Sequence, residues 1–137
     1  ESGLQPDPAN TVIGDFSYRS GLSATELLLA LPQRPTAIFA ANDDMAAAVI
    51  SVAHRQGLEV PDDLSVCGFD DTHVAQSVWP ELTTIRQPVG EMAAQAMVLL
   101  VEAIRKRRRG GVVPAQLVKV RHELVRRAST GPQSPKT

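Results

Sequence analysis

Two apolar runs, "AIFAAN" and "SVCGF", stand between stretches with helical spacing, and neither alternates with polar residues along its length. A strand with one face in water alternates; a strand buried on both faces reads as a continuous apolar run. Strands of the second kind, separated by helices, predict an α/β fold with a doubly wound, mostly parallel sheet and helices on both faces. Both runs end on short polar residues. The first ends on Asn42, Asp43 and Asp44, and the second on Asp70 and Asp71. In open parallel sheets ligands sit outside the carboxyl ends of the strands, so these residues stand where a ligand would dock.

The remaining elements follow from local signals. "TVIGDFS" reads as a strand closed by Gly14 and Asp15, and "SGLSATELLLALPQRP" as a helix stopped by Pro32 and Pro35. Residues 44–56 form a second helix, with Gly57 as the left-handed residue after its end. After the "LEVPDD" turn and the "SVCGF" strand, residues 72–79 have room for one helical turn before Pro80. "LTTIRQ" is a third strand. Pro88 opens a long helix to Arg109, closed by Gly110 and Gly111, the segment "AQLVKVRHELVRRAST" is β-rich, and "GPQSPKT" is expected to be disordered.

With 137 residues the chain buries roughly two thirds of its unfolded surface and holds a core without staples. Its single cysteine, Cys67, excludes an internal disulfide framework and reads as a small core residue. A net charge of -1 gives no basic footprint for nucleic acid. No apolar stretch approaches the ~20 residues that span a bilayer. The chain does not begin with methionine and reads as a piece of a longer protein.

Each polar cluster has a structural reading beside the functional one. Any of Asn42, Asp43 and Asp44 can cap the helix that follows, and a capping Asn42 still has groups to offer a ligand. Asp70 and Asp71 open no strong helix, so ligand contact by at least one of them explains the pair better. Paired carboxylates also suit a hard cation or a phospho-accepting receiver domain, but the receiver needs a lysine on a later strand where this chain has Arg86 and Gln87. The serines lie in no nucleophile-elbow pattern, and His54, His73 and His122 have no metal-ligand spacing. No catalysis, cofactor or metal site is expected. The "RKRRR" run occupies the last turn of a helix, where cations favour the dipole.

"ANDDMA", "GFDD" and "LTTIRQP" in that order, with "GDFSYRSG" before and "HELVRRAST" after, closely resemble the C-terminal part of the LacI/GalR family of bacterial transcription regulators. The likeness runs from about Gly14 to Thr130. It implies a type I periplasmic-binding-protein-like effector domain of two α/β lobes, regulating transcription through an upstream helix-turn-helix that grips operator DNA as a homodimer in the bacterial cytoplasm.

On that reading residues 1–87 are the C-terminal lobe and 88–111 a crossover helix that packs on a preceding N-terminal lobe. Residues 112–130 return as a final strand segment and 131–137 form a tail. By position Asp70 and Asn42 match residues that hydrogen-bond the effector, and Phe16 matches an aromatic that lies on a sugar ring. Ala47, Val78 and Trp79 match the dimer contact. A sugar is the effector these groups suit best, since a carboxylate accepts two hydroxyls, an amide both donates and accepts, and a ring packs on a pyranose face. A periplasmic sugar-binding protein of a transporter shares the fold and is the alternative, with a phospho-accepting receiver third.

Overall fold

A computed structural model describes residues 7–132. The chain divides into two compact units, one built from residues up to Arg86 together with those from Leu124 onward, the other from Gln87–Glu123.

In the first unit a single 3-10 turn at Pro8–Asn10 precedes helix α1, Tyr18–Leu29. Ser17 caps α1 by accepting from the Ser20 amide, and Gly21, Ala24, Thr25, Leu28 and Leu29, spaced three and four apart, form its buried face. Strand β1 is Ala37–Phe39, helix α2 is Asp43–Arg55, and strand β2 is Ser65–Cys67. β1 and β2 pair in parallel with Ala37 opposite Ser65 and Phe39 opposite Cys67. Parallel bridges Cys67–Thr83 and Asp70–Arg86 carry the pairing toward strand β3, Thr84–Arg86, which in turn pairs with β4, Glu123–Val125. The short helix α3, Val74–Ser77, fills the 72–79 interval.

α2 is the centre of this unit. Met45 to Ile50, Val52 and Ala53 are all buried, and all of these but Ala47 and Ala48 join one core with Leu28, Leu29, Ile38, Leu64, Val66 and Leu82. α1 reaches α2 closely because Gly21 has no side chain: a Cβ there would stand 2.8 Å from the Ala48 methyl. The end of α2 is a Schellman cap, with Gly57 at φ 70, its amide bonded to the His54 carbonyl and the Leu58 amide to that of Ala53.

Two local expectations change. "TVIGDFS" makes no strand: Ile13 is 94% exposed, the Asp15 amide donates to the Ser20 hydroxyl rather than to a ladder, and Phe16 turns to φ 66, which breaks an extended backbone. In "AQLVKVRHELVRRAST" the strand shrinks to Glu123–Val125, because Leu117 and Val118 lie exposed with no paired strand among the described residues. Of β1, only Ile38 is buried, on the side of α1 and α2, while Ala37 and Phe39 on the other side are exposed.

In the second unit α4 runs Val89–Arg108 and ends in another Schellman cap at Gly110, φ 78. None of its residues is buried, and Val89, Met97, Val98 and Leu100 are all more than half exposed. Part of the expected tail, residues 133–137, lies outside the described residues.

Candidate functional site

Because Phe39 and Cys67 are partners in a parallel pair, Asn42 and Asp70, each three residues further on, follow the same end of the two strands. The two strand ends that the sequence singles out are therefore neighbours.

Asn42 caps α2. Its Oδ1 accepts from the Met45 amide at 2.9 Å, and its Nδ2 donates to the Phe16 carbonyl at 2.9 Å, tying the loop before α1 to the start of α2. An amide group has two donors and two acceptor sites, so one of each stays available to a ligand after these bonds. Phe16 itself is 64% exposed, and behind its ring lies an apolar cavity of about 320 Å³ lined by Val12, Ala24, Leu28, Ile38 and Val49 among others. The loop is held rigid from its own side too. Asp15 accepts from the amide and hydroxyl of Ser17 at 3.0 and 2.6 Å, and the Ser17 and Ser20 hydroxyls lower its pKa to about 2.

Asp43, next to Asn42, points the other way and is fully buried. Thr84 donates its hydroxyl to Oδ1 at 2.6 Å, while the Thr72 amide and hydroxyl donate to Oδ2 at 2.6 and 3.1 Å. One side chain thus joins "ANDDMA", "GFDDTH" and "LTTIRQ", which explains physically why the three motifs belong together. Gly68 is part of this joint: a Cβ there would stand 2.5 Å from Asp43 Oδ1 and 2.8 Å from the Leu82 side chain.

At the end of β2 the backbone takes two left-handed residues in a row, Asp70 at φ 108 and Asp71 at φ 58. The second is ordinary for Asp; the first is sparsely populated by any residue with a Cβ, the kind of strain that clusters at binding sites. The turn is pinned by the Asp70 amide on the Ile85 carbonyl at 2.8 Å. Asp71 lies inward, its side chain 4% exposed, between Arg86 Nε at 2.7 Å and Arg127 Nη2 at 2.6 Å. Burial alone would raise its pKa, but hydrogen bonds from Arg127 and Arg86 and their charges bring it below the ordinary carboxylate value. Desolvation, with the nearby Asp43 second, pushes the half-buried Cys67 thiol up, which suits a packing residue better than a reactive one.

Of the four aspartates read as candidates at the strand ends, Asp43 and Asp71 are thus engaged inside the fold. Asp43 holds threonines and Asp71 holds arginines, so the paired open carboxylates that a receiver domain needs are not formed. Among the described residues no cluster of His, Cys, Asp and Glu could hold a metal, and no helix is long and apolar enough to cross a membrane. Asp44 is exposed on the first turn of α2.

Three residues with no role in the sequence reading complete the site. Arg127 also donates from Nη1 to the Leu82 carbonyl at 2.7 Å. Ser129, fully buried, donates to the Val66 carbonyl at 2.6 Å and accepts from the Thr83 amide at 2.8 Å, clasping β2 to the segment entering β3. Thr72 is the third. The only signal for the first two was their place in "HELVRRAST".

The residues matched to a dimer contact differ in environment. Trp79 is 80% exposed, Val78 packs partly against the core, and Ala47 keeps only 8% of its surface, so its methyl has little left to give a partner.

Residues 1–130 match the family described as periplasmic binding protein-like domain. Catabolite control protein A of Priestia megaterium is 41% identical over 130 residues, which are 95% of this chain and 38% of that protein. The chain thus spans well under half the length of this relative. Among solved structures, a complex of the transcriptional regulator CelR with cellobiose superposes with a TM-score of 0.83 at 35% identity, over 93% of this chain and 38% of that one. A LacI family transcriptional regulator from Mycobacterium smegmatis gives 0.81 at 32% identity, over 96% and 48%.

Proposed function

This chain belongs to the periplasmic binding protein-like family in the form carried by LacI-type regulators, and on that premise we propose that it is the effector-sensing part of a ligand-responsive transcription regulator. The observation that supports this most is the place of Asn42 and Asp70, each three residues beyond the carboxyl end of one of two paired parallel strands, with the Phe16 carbonyl tethered to Asn42. The ligand is a polyol, with a sugar as the best fit: Asp70 accepts its hydroxyls, the remaining donor and acceptor of Asn42 take another, and Phe16 packs on the ring. The protein does this without catalysis. It works in the bacterial cytoplasm, and operator DNA is held by a helix-turn-helix in another part of the polypeptide.

In the whole regulator the sheet is doubly wound, its second face and the apolar side of α4 being covered by an N-terminal lobe and segments outside these residues. Effector binding shifts operator affinity only as far as the effector prefers one arrangement of the lobes. Trp79, with Val78 beside it, anchors a homodimer contact, since large exposed aromatics carry much of the energy of such interfaces. Ala47 lies at its margin.

Calorimetric titration with a panel of mono- and disaccharides, cellobiose first, tests the ligand assignment. Hydrogen bonds to a charged group are worth about 1.5–3 kcal/mol, so Asp70→Ala should weaken the sugar that binds by roughly ten- to a hundredfold. An unchanged affinity in that variant removes Asp70 from the site.

A further inference from the structure

Asp71 and its two arginines lie beside both places where the chain passes between the two units. Arg86 is the last residue of the first unit before Gln87, and Arg127 follows closely after the chain re-enters that unit at Leu124. Asp71 binds one of these residues with each carboxylate oxygen, at 2.7 and 2.6 Å. On the other side it is covalently next to Asp70, whose own backbone amide is bonded to Ile85, just ahead of the first passage. Arg127 is in addition fixed by its amide on the Thr83 hydroxyl at 2.9 Å and by Nη1 on the Leu82 carbonyl, so a pull on Asp71 is passed on to backbone rather than lost in a loose side chain.

We propose that Asp71 is a positioning residue: its carboxylate couples the Asp70 turn to both passages, so that a displacement of the turn is felt at Arg86 and at Arg127 together. The strained φ of Asp70 makes the turn able to move, because any shift toward an ordinary backbone region releases strain. Arg86 is the softer link, with its side chain 48% exposed against 10% for Arg127, so the return passage feels the turn more strongly than the outgoing one. The functional meaning rests on the reading of Asp70 as an effector contact; the coupling itself does not.

A double-mutant cycle read by amide hydrogen exchange on the 137-residue chain tests it without any ligand. Asp70→Gly perturbs the turn. In the wild-type background it should change exchange at residues 87–89 and 124–127 by roughly three- to tenfold, the size of coupling expected between groups in one network. In an Asp71→Asn background the 124–127 response should disappear and the 87–89 response should shrink to what the Asp70 amide on the Ile85 carbonyl still transmits. In an Arg86→Gln background only the 87–89 response should shrink, an arm-by-arm loss that general loosening of the fold does not produce. Circular dichroism checks folding, and if the Asp71 variant does not fold, the Arg86→Gln arm decides. No response to Asp70→Gly at either passage, or an equal response with Asp71 or Arg86 replaced, overturns the coupling. Failure of every sugar to bind would overturn the ligand reading alone and leave the exchange result standing.

Discussion

The ends of β1 and β2 solve one problem in two ways. Each places one residue at the carboxyl end of the sheet and turns its neighbour inward as a cross-link. At β1 the inner residue, Asp43, is held by hydroxyls and an amide from Thr72 and Thr84 at the start of a helix, where a short acid suits the dipole. At β2 the inner residue, Asp71, is held by two guanidinium groups, and its backbone is left-handed. The first cross-link is neutral on the donor side, buried at Asp43 and Thr84 and built on relaxed geometry; the second is ionic, open to water along Arg86 and built beside strain. A joint of the first kind fixes a core, and one of the second kind can respond.

The largest expected effect falls on the first. Asp43→Ala leaves the buried Thr84 hydroxyl without an acceptor, at about 1–3 kcal/mol, and frees the Thr72 amide and hydroxyl, which water can partly satisfy, so a loss of roughly 2–4 kcal/mol is expected. That is a large fraction of the roughly 5–15 kcal/mol that hold a domain together. Urea denaturation followed by circular dichroism measures it, and a loss below about 1 kcal/mol would mean the joint adapts more freely than its burial implies.

Asp71→Asn should cost less, about 2–3 kcal/mol, because one of its two partners is half in water. Its more telling signature is with pH. A carboxyl whose folded pKa lies below its unfolded value adds stability that is fully present above the unfolded value near 4 and is lost as pH falls through the folded value. Stability of the wild-type chain should therefore fall as pH drops below about 4, and the variant should fall less steeply. Asp15, at about 2, keeps some slope of the same sign in both. Parallel acid curves for the two proteins would show that the arginine pair does not hold the carboxylate ionised.

What the sequence showed of this division was its local half. A cap among Asn42, Asp43 and Asp44, the glycines that close α2 and α4 and the presence of α1, though not its bounds, depend on neighbours a few residues away, and they were readable. The partners of the inner acids were not. Thr72 and Thr84 lie 29 and 41 residues from Asp43, and Arg127 lies 56 from Asp71, so nothing in "ANDD" or "GFDD" says which acid turns inward. Ser129 was invisible for the same reason, its two bonds reaching 46 and 63 residues back. "TVIGDFS" has the composition of a strand, but a strand exists only with a ladder partner, which lies outside what a single segment encodes.

The smallest effects belong to the two outer residues, and here the comparison is sharpest. Asn42→Ala removes a helix cap and the tether to Phe16, for which about 1 kcal/mol of stability is expected to be lost. Asp70→Gly acts on a backbone at φ 108, a region glycine enters freely and other residues enter at a cost of order 1–3 kcal/mol. Relief of that strain is set against the contacts the carboxylate makes and the larger entropy glycine loses on folding, so the net change should stay within about 1 kcal/mol of zero. Thermal melts of the two variants beside wild type decide the point. If Asp70→Gly proves as costly as Asp43→Ala, then Asp70 is a structural residue like its neighbours, and the division into inner and outer residues fails at β2. If it is neutral or stabilising, the chain keeps an aspartate where a glycine would fold as well, which is what a residue held for its ligand predicts.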